Sequence, residues 1–280
     1  MSEAERNRQL DIFQAAYADI PIRDQRDMME RPFFSLAKRP RKKPIVYSMG
    51  GVTVTVTPGQ DIGMATIWDA DILIWAATQV TEALDRGREA SPMIRFHPHA
   101  LLKGIRRQTG GAQYERLLEA LKRLHSTSVT TNIRQRGTKA RAFHWIEEYT
   151  SAEDEQGRPL GMSITLPRWL YDGIVQAGGV LSIHPDYFLL TGGIERWLYR
   201  VARKHAGRQD NGWRFTMRSL FEKSGSANKF ADFAIDIRKA VAANALPEYA
   251  LEIAKSRAGE EVVYMVPRII SRLIGRVGAN

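Results

Sequence analysis

Gly110–Tyr149 reads GGAQYERLLEALKRLHSTSVTTNIRQRGTKARAFHWIEEY. The spacing predicts a helix in its first half: Leu117, Leu118, Leu121 and Leu124, with Tyr114, recur at i, i+3, i+4 on one face. Gln113, Arg116 and Arg123 fall on another face. A helix packed on a small domain has one buried stripe, so that second face meets solvent or a partner. A strand pair follows, Ser126–Arg134 and Arg141–Tyr149, turning at Gln135–Ala140 with Arg134, Arg136, Lys139 and Arg141 at its tip. A cationic helix followed by a cationic hairpin is the layout of a winged helix-turn-helix. In that layout the helix enters the major groove and the wing grips backbone or minor groove.

Outward from this stretch the same order of elements occurs twice. Ile45–Thr57 alternates and predicts a hairpin over Gly50-Gly51. Thr66 with Asp69 is an acidic capping box before a helix running to about Arg86. A second helix follows Pro98, and Thr109-Gly110-Gly111 turns into the third. A strand at Met162–Leu166 is expected to complete the first sheet, and Pro167–Gln176 to form a short connecting helix. Helices are then expected at Gly193–His205, after Thr216 and at Asn228–Ala243, with a hairpin of Tyr249–Lys255 and Glu261–Pro267 turning at Ser256–Glu260. The expectation is an α+β chain of two tandem winged helix-turn-helix domains, 45–177 and 178–280, behind an N-terminal arm, 1–44. The arm begins with a helical stretch, Glu3–Ala18, and continues into a proline-broken segment with five cations in the six residues Lys38–Lys43. That run suits either phosphate contact or a basic linker.

Net charge is +10 over 280 residues, and its distribution is informative. Residues 101–145 hold ten Lys/Arg and two acids, and residues 196–230 nine and two. Residues 1–100 balance at thirteen each, while 146–195 carry eight acids and two cations. Two separated basic blocks suggest a polyanion held at two points, the alternative being two solvated basic helices. With no cysteine, disulfides and thiolate metal sites are excluded and a reducing cytoplasm fits. The first residues have no apolar core of a secretion signal, and no run approaches the roughly 18 apolar residues of a membrane span.

Gln113, Arg116 and Arg123 are the candidate base readers, because Arg matches guanine and Gln adenine in a bidentate manner. Arg106 and Arg107 precede the turn and suit phosphate. Tyr114, Thr130 and Asn132 join them on the helix and the following strand, with Arg134, Arg136, Lys139 and Arg141 on the wing. In the second unit the candidates are Arg200 and Lys204, then Lys223, Ser226, Asn228 and Lys229 around the third helix's start, where backbone N–H groups would face phosphate. Asp232 and Asp236 on that helix count against phosphate contact there. No GxxxxGK[ST] occurs. His97 and His99 lack further metal ligands, and Tyr187 and Tyr199 read as packing residues. No catalytic activity, metal or cofactor is expected.

Met29–Pro40 (MERPFFSLAKRP), Ala65–Trp75 (ATIWDADILIW), Tyr114–Leu124 (YERLLEALKRL) and Ser126–Ile133 (STSVTTNI) resemble, in order, segments of the replication initiator protein A family of bacterial plasmid initiators. Similarity is strongest from about Asp11 to Tyr149 and weaker beyond; Ala70 departs from the pattern, which has a cation there. The resemblance implies a protein that binds direct repeats (iterons) in double-stranded origin DNA. It further implies help in melting an adjacent segment and recruitment of host replication initiation proteins and the replicative helicase, without nicking. It also implies exchange between a monomer and a homodimer. The alternatives are a transcriptional repressor or partition protein of the same fold and, third, a nickase.

Overall fold

The structure, a computed structural model, describes residues 17–135, 139–156, 159–207 and 209–268. Its first regular element is a strand absent from the sequence reading, β1 (Arg23–Gln25). The valine alternation then forms β2 (Ile45–Met49) and β3 (Val52–Thr57) as expected. Gly50 and Gly51 turn between them at φ 57° and 76°, the left-handed geometry glycine adopts without strain. Helix α1 (Ala70–Asp85) starts at the expected capping box. Thr66 N–H donates to Asp69 Oδ2 at 2.8 Å, and Asp69 N–H donates to Thr66 Oγ1 at 3.3 Å. The helix is buried all round from Ala70 to Val80, which makes it the axis of the molecule.

Next come β4 (Met93–Phe96), α2 (Pro98–Gly104) and α3 (Gly111–Ser126). Pro98 occupies the first turn of α2, where its missing N–H costs nothing. Helix α3 buries Leu117, Ala120, Leu121 and Leu124, as the periodicity requires. After it lie β5 (Ser128–Thr131), β6 (Arg141–His144), β7 (Glu148–Glu153), β8 (Pro159–Thr165) and α4 (Arg168–Val175). The remaining elements are β9 (Val180–Ser182), α5 (Gly193–His205), β10 (Trp213–Thr216), α6 (Met217–Ser224), α7 (Phe230–Ala243), β11 (Tyr249–Lys255) and β12 (Glu261–Pro267).

Strand pairing repeats in the two halves, but around a different hairpin from the one expected. In the first half the sheet order is β4-β8-β7, and in the second it is β10-β12-β11. Each copy therefore runs helix, strand, helix, helix and a closing pair of strands, with the first strand bonded to the last; in the first copy β5 and β6 are inserted before the closing pair. The hairpin corresponding to β11–β12 is β7–β8, whose connection is the acidic stretch after Glu153. The pair β5–β6 instead extends β2–β3 into a four-stranded sheet, β2-β3-β5-β6. Apolar burial explains this: Val54, Val56 and Val129 are all 0% exposed, and Val129 lies between Val56 and Phe143 in the register. The expected strand at Met162–Leu166 corresponds to the end of β8, which stops at Thr165, but it completes the β4-containing sheet rather than this one.

A second correction concerns the segment read as an arm. Residues 1–16, with the early helical stretch, lie outside the described residues except for its last two positions. Residues 23–36 are not peripheral. β1 pairs with β9, and Met28, Met29, Phe33 and Phe34 are at most 3% exposed. Phe34 stacks on Trp145 at 4.7 Å, inside an aromatic cluster with Phe143 and Trp169. The segment wedges between the halves. The charges of Asp24 and Glu30 misled because Arg200, Lys204, His205 and Lys223, which meet them, lie more than 170 residues away.

Candidate nucleic-acid interface

Helix α3 leaves Arg116 and Lys122 exposed beside Glu115 and Glu119, with Gln113 half-buried at its first turn. Arg116 lines a cleft of about 670 Å³ with Lys38, Trp68, Arg107, Glu119 and Arg123. Arg123, expected to read bases, is half-buried and tied to a buried carboxylate instead. Its Nε and Nη2 each donate to Asp69 at 2.8 Å. Asp69 is 2% exposed, so removing Arg123 would strand a buried carboxylate that also caps α1. Arg107 donates to Asp71 Oδ2 at 2.9 Å and to the Trp68 carbonyl at 2.7 Å. Arg106 forms a half-exposed ion pair with Asp186 at 2.6 Å. Tyr114 donates its hydroxyl to Glu153 at 3.1 Å, tying α3 to the acidic end of β7.

The expected wing tip is divided. Arg136 lies outside the described residues. Lys139 and Thr130 are exposed and Arg141 is half-buried on β6. Arg134 is withdrawn: its guanidinium lies 4.3 Å from the Trp169 ring centre and 3.0 Å from Asp27. Asn132 is structural, accepting from Thr53 N–H at 2.9 Å and donating to the Gly51 carbonyl at 2.7 Å. Thr127 and Thr131 likewise bond backbone, the first accepting from Ala65 N–H and the second donating to the Thr53 carbonyl.

Part of the second basic block turns inward, while Arg214, Arg218 and Lys229 stay exposed. Arg200 is 1% exposed and grips fully buried Asp24 through Nε at 2.7 Å and Nη2 at 3.1 Å. Arg196 meets Asp71 at 2.6 Å and caps the carbonyls of Phe188 and Leu190. Lys204 (3.1 Å), His205 and Lys223 (3.5 Å) converge on Glu30. Arg200, Lys204 and Lys223 therefore lie at the seam between halves rather than on a DNA-facing surface. Around α7, Ser226 accepts from Asn228 N–H at 3.2 Å, and Asn228 and Lys229 are exposed. Asp232 is exposed on the same helix, and Asp236 lies within 4.0 Å of Lys239.

Asp24, Glu30 and Asp71 are residues that went unrecognised in the sequence. Burial pushes Asp24 and Asp71 above the usual carboxylate range against the pull of their arginines. Burial also acts on Glu30, but the His205 hydrogen bond and the Lys204, Arg31 and Lys223 charges outweigh it and hold its carboxyl well below that range. Tyr187 and Tyr199 are buried packing residues, as expected, and burial pushes both phenols up. Among the described residues no group of three or more His, Asp or Glu is placed to hold a metal ion, and no helix is long and apolar enough to cross a membrane.

Residues 23–251 match the replication initiator protein A family. A relative from Wigglesworthia glossinidia brevipalpis, bearing the name "Putative replication protein", is 32% identical over 226 residues, 79% of this chain and 81% of that protein. Two crystal structures of domains 2 and 3 of RctB share the fold. The selenomethionine derivative superposes with a TM-score of 0.62 at 12% identity, covering 85% of this chain and 96% of its own. The other gives 0.56 at 11% identity, covering 86% and 97%.

Proposed function

This chain belongs to the replication initiator protein A family, and from that premise we propose that it is a plasmid replication initiator that binds direct repeats in double-stranded origin DNA through two winged helix-turn-helix units. The observation that carries the reading is the repeated helix-strand-helix-helix-hairpin unit, with α3 and α7 each the third helix and each with a polar face exposed. In a winged helix that third helix is the one that enters the major groove. On α3, Gln113 and Arg116 are the side chains suited to base edges. The connection between the first unit's closing strands is acidic in sequence and is therefore assigned no phosphate.

The protein works in the cytoplasm, where bacterial DNA lies. Its task there is to open the origin and present it to host initiation proteins and the replicative helicase, without cutting a strand. Homodimers of the chain have a place in this reading as a form distinct from the repeat-binding monomer. A plasmid carrying this gene and the DNA beside it, and no other replication gene, tests the proposal. Autonomous maintenance is expected, and loss of Arg116 together with Gln113 should abolish it. DNA binding with no maintenance would favour the repressor or partition reading. Relaxation of supercoiled DNA with a divalent metal would favour the nickase.

A further inference from the structure

The two outward helices carry too little unspent charge to hold a polyanion. On α3 the exposed Arg116 and Lys122 are offset by Glu115 and Glu119. On α7, Arg238 is tied to Glu261 at 2.7 Å, Lys239 faces Asp236 and Asp232 is exposed. Such helices discriminate bases, but duplex affinity comes mostly from neutralised phosphates. The cations must come from elsewhere on the same surface.

Lys38–Lys43 supplies them. Lys38, Arg39, Lys42 and Lys43 are all exposed, and among the described residues none of the four forms an ion pair. The backbone beneath them is pinned. Ser35 N–H donates to the Ala65 carbonyl at 3.0 Å and Met64 N–H to the Arg41 carbonyl at 2.9 Å. The Arg41 guanidinium donates to the carbonyls of Gly225 (2.5 Å), Lys43 (2.9 Å) and Pro44 (3.1 Å), stapling the run to the turn before α7. Its position is the second observation. Lys38 lines the cleft it shares with Arg116 and Arg123 of α3. Arg39 and Arg41 line another, of about 410 Å³, shared with Asn228 and Asp236 of the α7 region. The run thus passes from the flank of one outward helix to the flank of the other.

We propose that Lys38, Arg39, Lys42 and Lys43 form a preorganised ribbon that seats on duplex DNA between the two helices, against the intervening minor groove and its phosphates. The inference rests on the two-unit reading above. Helices in successive major grooves on one face of B-DNA leave a minor groove facing the protein between them, and a narrow groove attracts Arg and Lys. Pinning lowers the ordering cost of each contact.

The test uses the full chain and a random-sequence duplex of about four turns, with affinity measured across a salt series. The K38A/R39A/K42A/K43A variant should keep its near-ultraviolet circular dichroism, since the four side chains are exposed and Arg41 is retained. Its log–log salt slope should flatten by roughly three to four units, at about 0.9 counterion per contact, and affinity near physiological salt should fall at least about a hundredfold. K38R/K42R/K43R should keep the wild-type slope. If the alanine variant keeps it too, the ribbon is overturned while the two-helix reading stands. If the unaltered chain ignores duplex DNA, both fall.

Discussion

Within the basic blocks at 101–145 and 196–230, cations that look alike in the sequence do different work in the fold. In the second, Arg196, Arg200, Lys204 and Lys223 all end on carboxylates contributed by Asp24, Glu30 and Asp71, while Arg214, Arg218 and Lys229 remain exposed. In the first, Arg107 and Arg123 are spent in the same way on Asp71 and Asp69, yet Lys103, Arg116, Lys122 and Lys139 remain exposed. Asp71 joins the two blocks, taking Arg107 from one and Arg196 from the other. A run of positive charge therefore reports a surface only after buried acids have been matched to it. A buried carboxylate must be paired, and it recruits cations from any distance along the sequence.

The contrast breaks most readily at Arg200. Arg200→Ala leaves Asp24 buried without its partner and should cost about 3–5 kcal/mol of folding free energy. Arg116→Ala should change stability by no more than about 0.5 kcal/mol, being an exposed surface change. Urea unfolding of the two variants measures the difference; equal values would mean that the paired and the exposed cations are not distinct. The same pairing forbids a simple truncation test. A fragment ending at 177 would strand Asp24, Glu30 and part of the Asp71 site, so the halves must be probed by substitution in the full chain.

Acid offers the next effect. Glu30 is held below its ordinary 4.5 in the folded state, so unfolding takes up a proton there. Its contribution is present above about pH 4.5 and lost as pH falls below that. Stability of the natural chain should drop more steeply between pH 5 and 3 than that of Glu30→Gln. Parallel curves would remove Glu30 from the seam. On the DNA side, Arg116→Ala and Gln113→Ala should each cost about 1–3 kcal/mol on the specific site and little on random duplex; equal losses would make them backbone contacts. The smallest effect is expected at Lys139→Ala, about one unit or less of salt slope, since its strand pair belongs to the β2–β3 sheet.

Most elements were legible because periodicity and punctuation agree: Thr66–Asp69 and Pro98 start helices, Gly50-Gly51 turns a hairpin, and the leucines of α3 face inward. Strand partnership was not, because Ser128–Thr131 pairs with Val54–Thr57, more than 70 residues earlier, and nothing local marks that register. β4 and β10 are four residues each, too short to show alternation. In the site, the exposed Arg116 and Lys139 were readable as surface residues. Arg123, Arg134 and Arg200 were not, since their fate depends on Asp69, Asp27 and Asp24. Exposed proline-rich charge at 37–44 and buried charge at 23–36 look the same until tertiary partners are known.

Guanine N7 methylation protection reads the major groove directly, and the full chain on the duplex flanking its own gene is the material for it. If α3 and α7 both read bases, two protected patches should appear on one face, about one helical turn or 10–10.5 bp apart, repeating with each direct repeat. A single protected patch per bound chain would contradict this and leave the second unit a protein-contacting module rather than a reader of DNA.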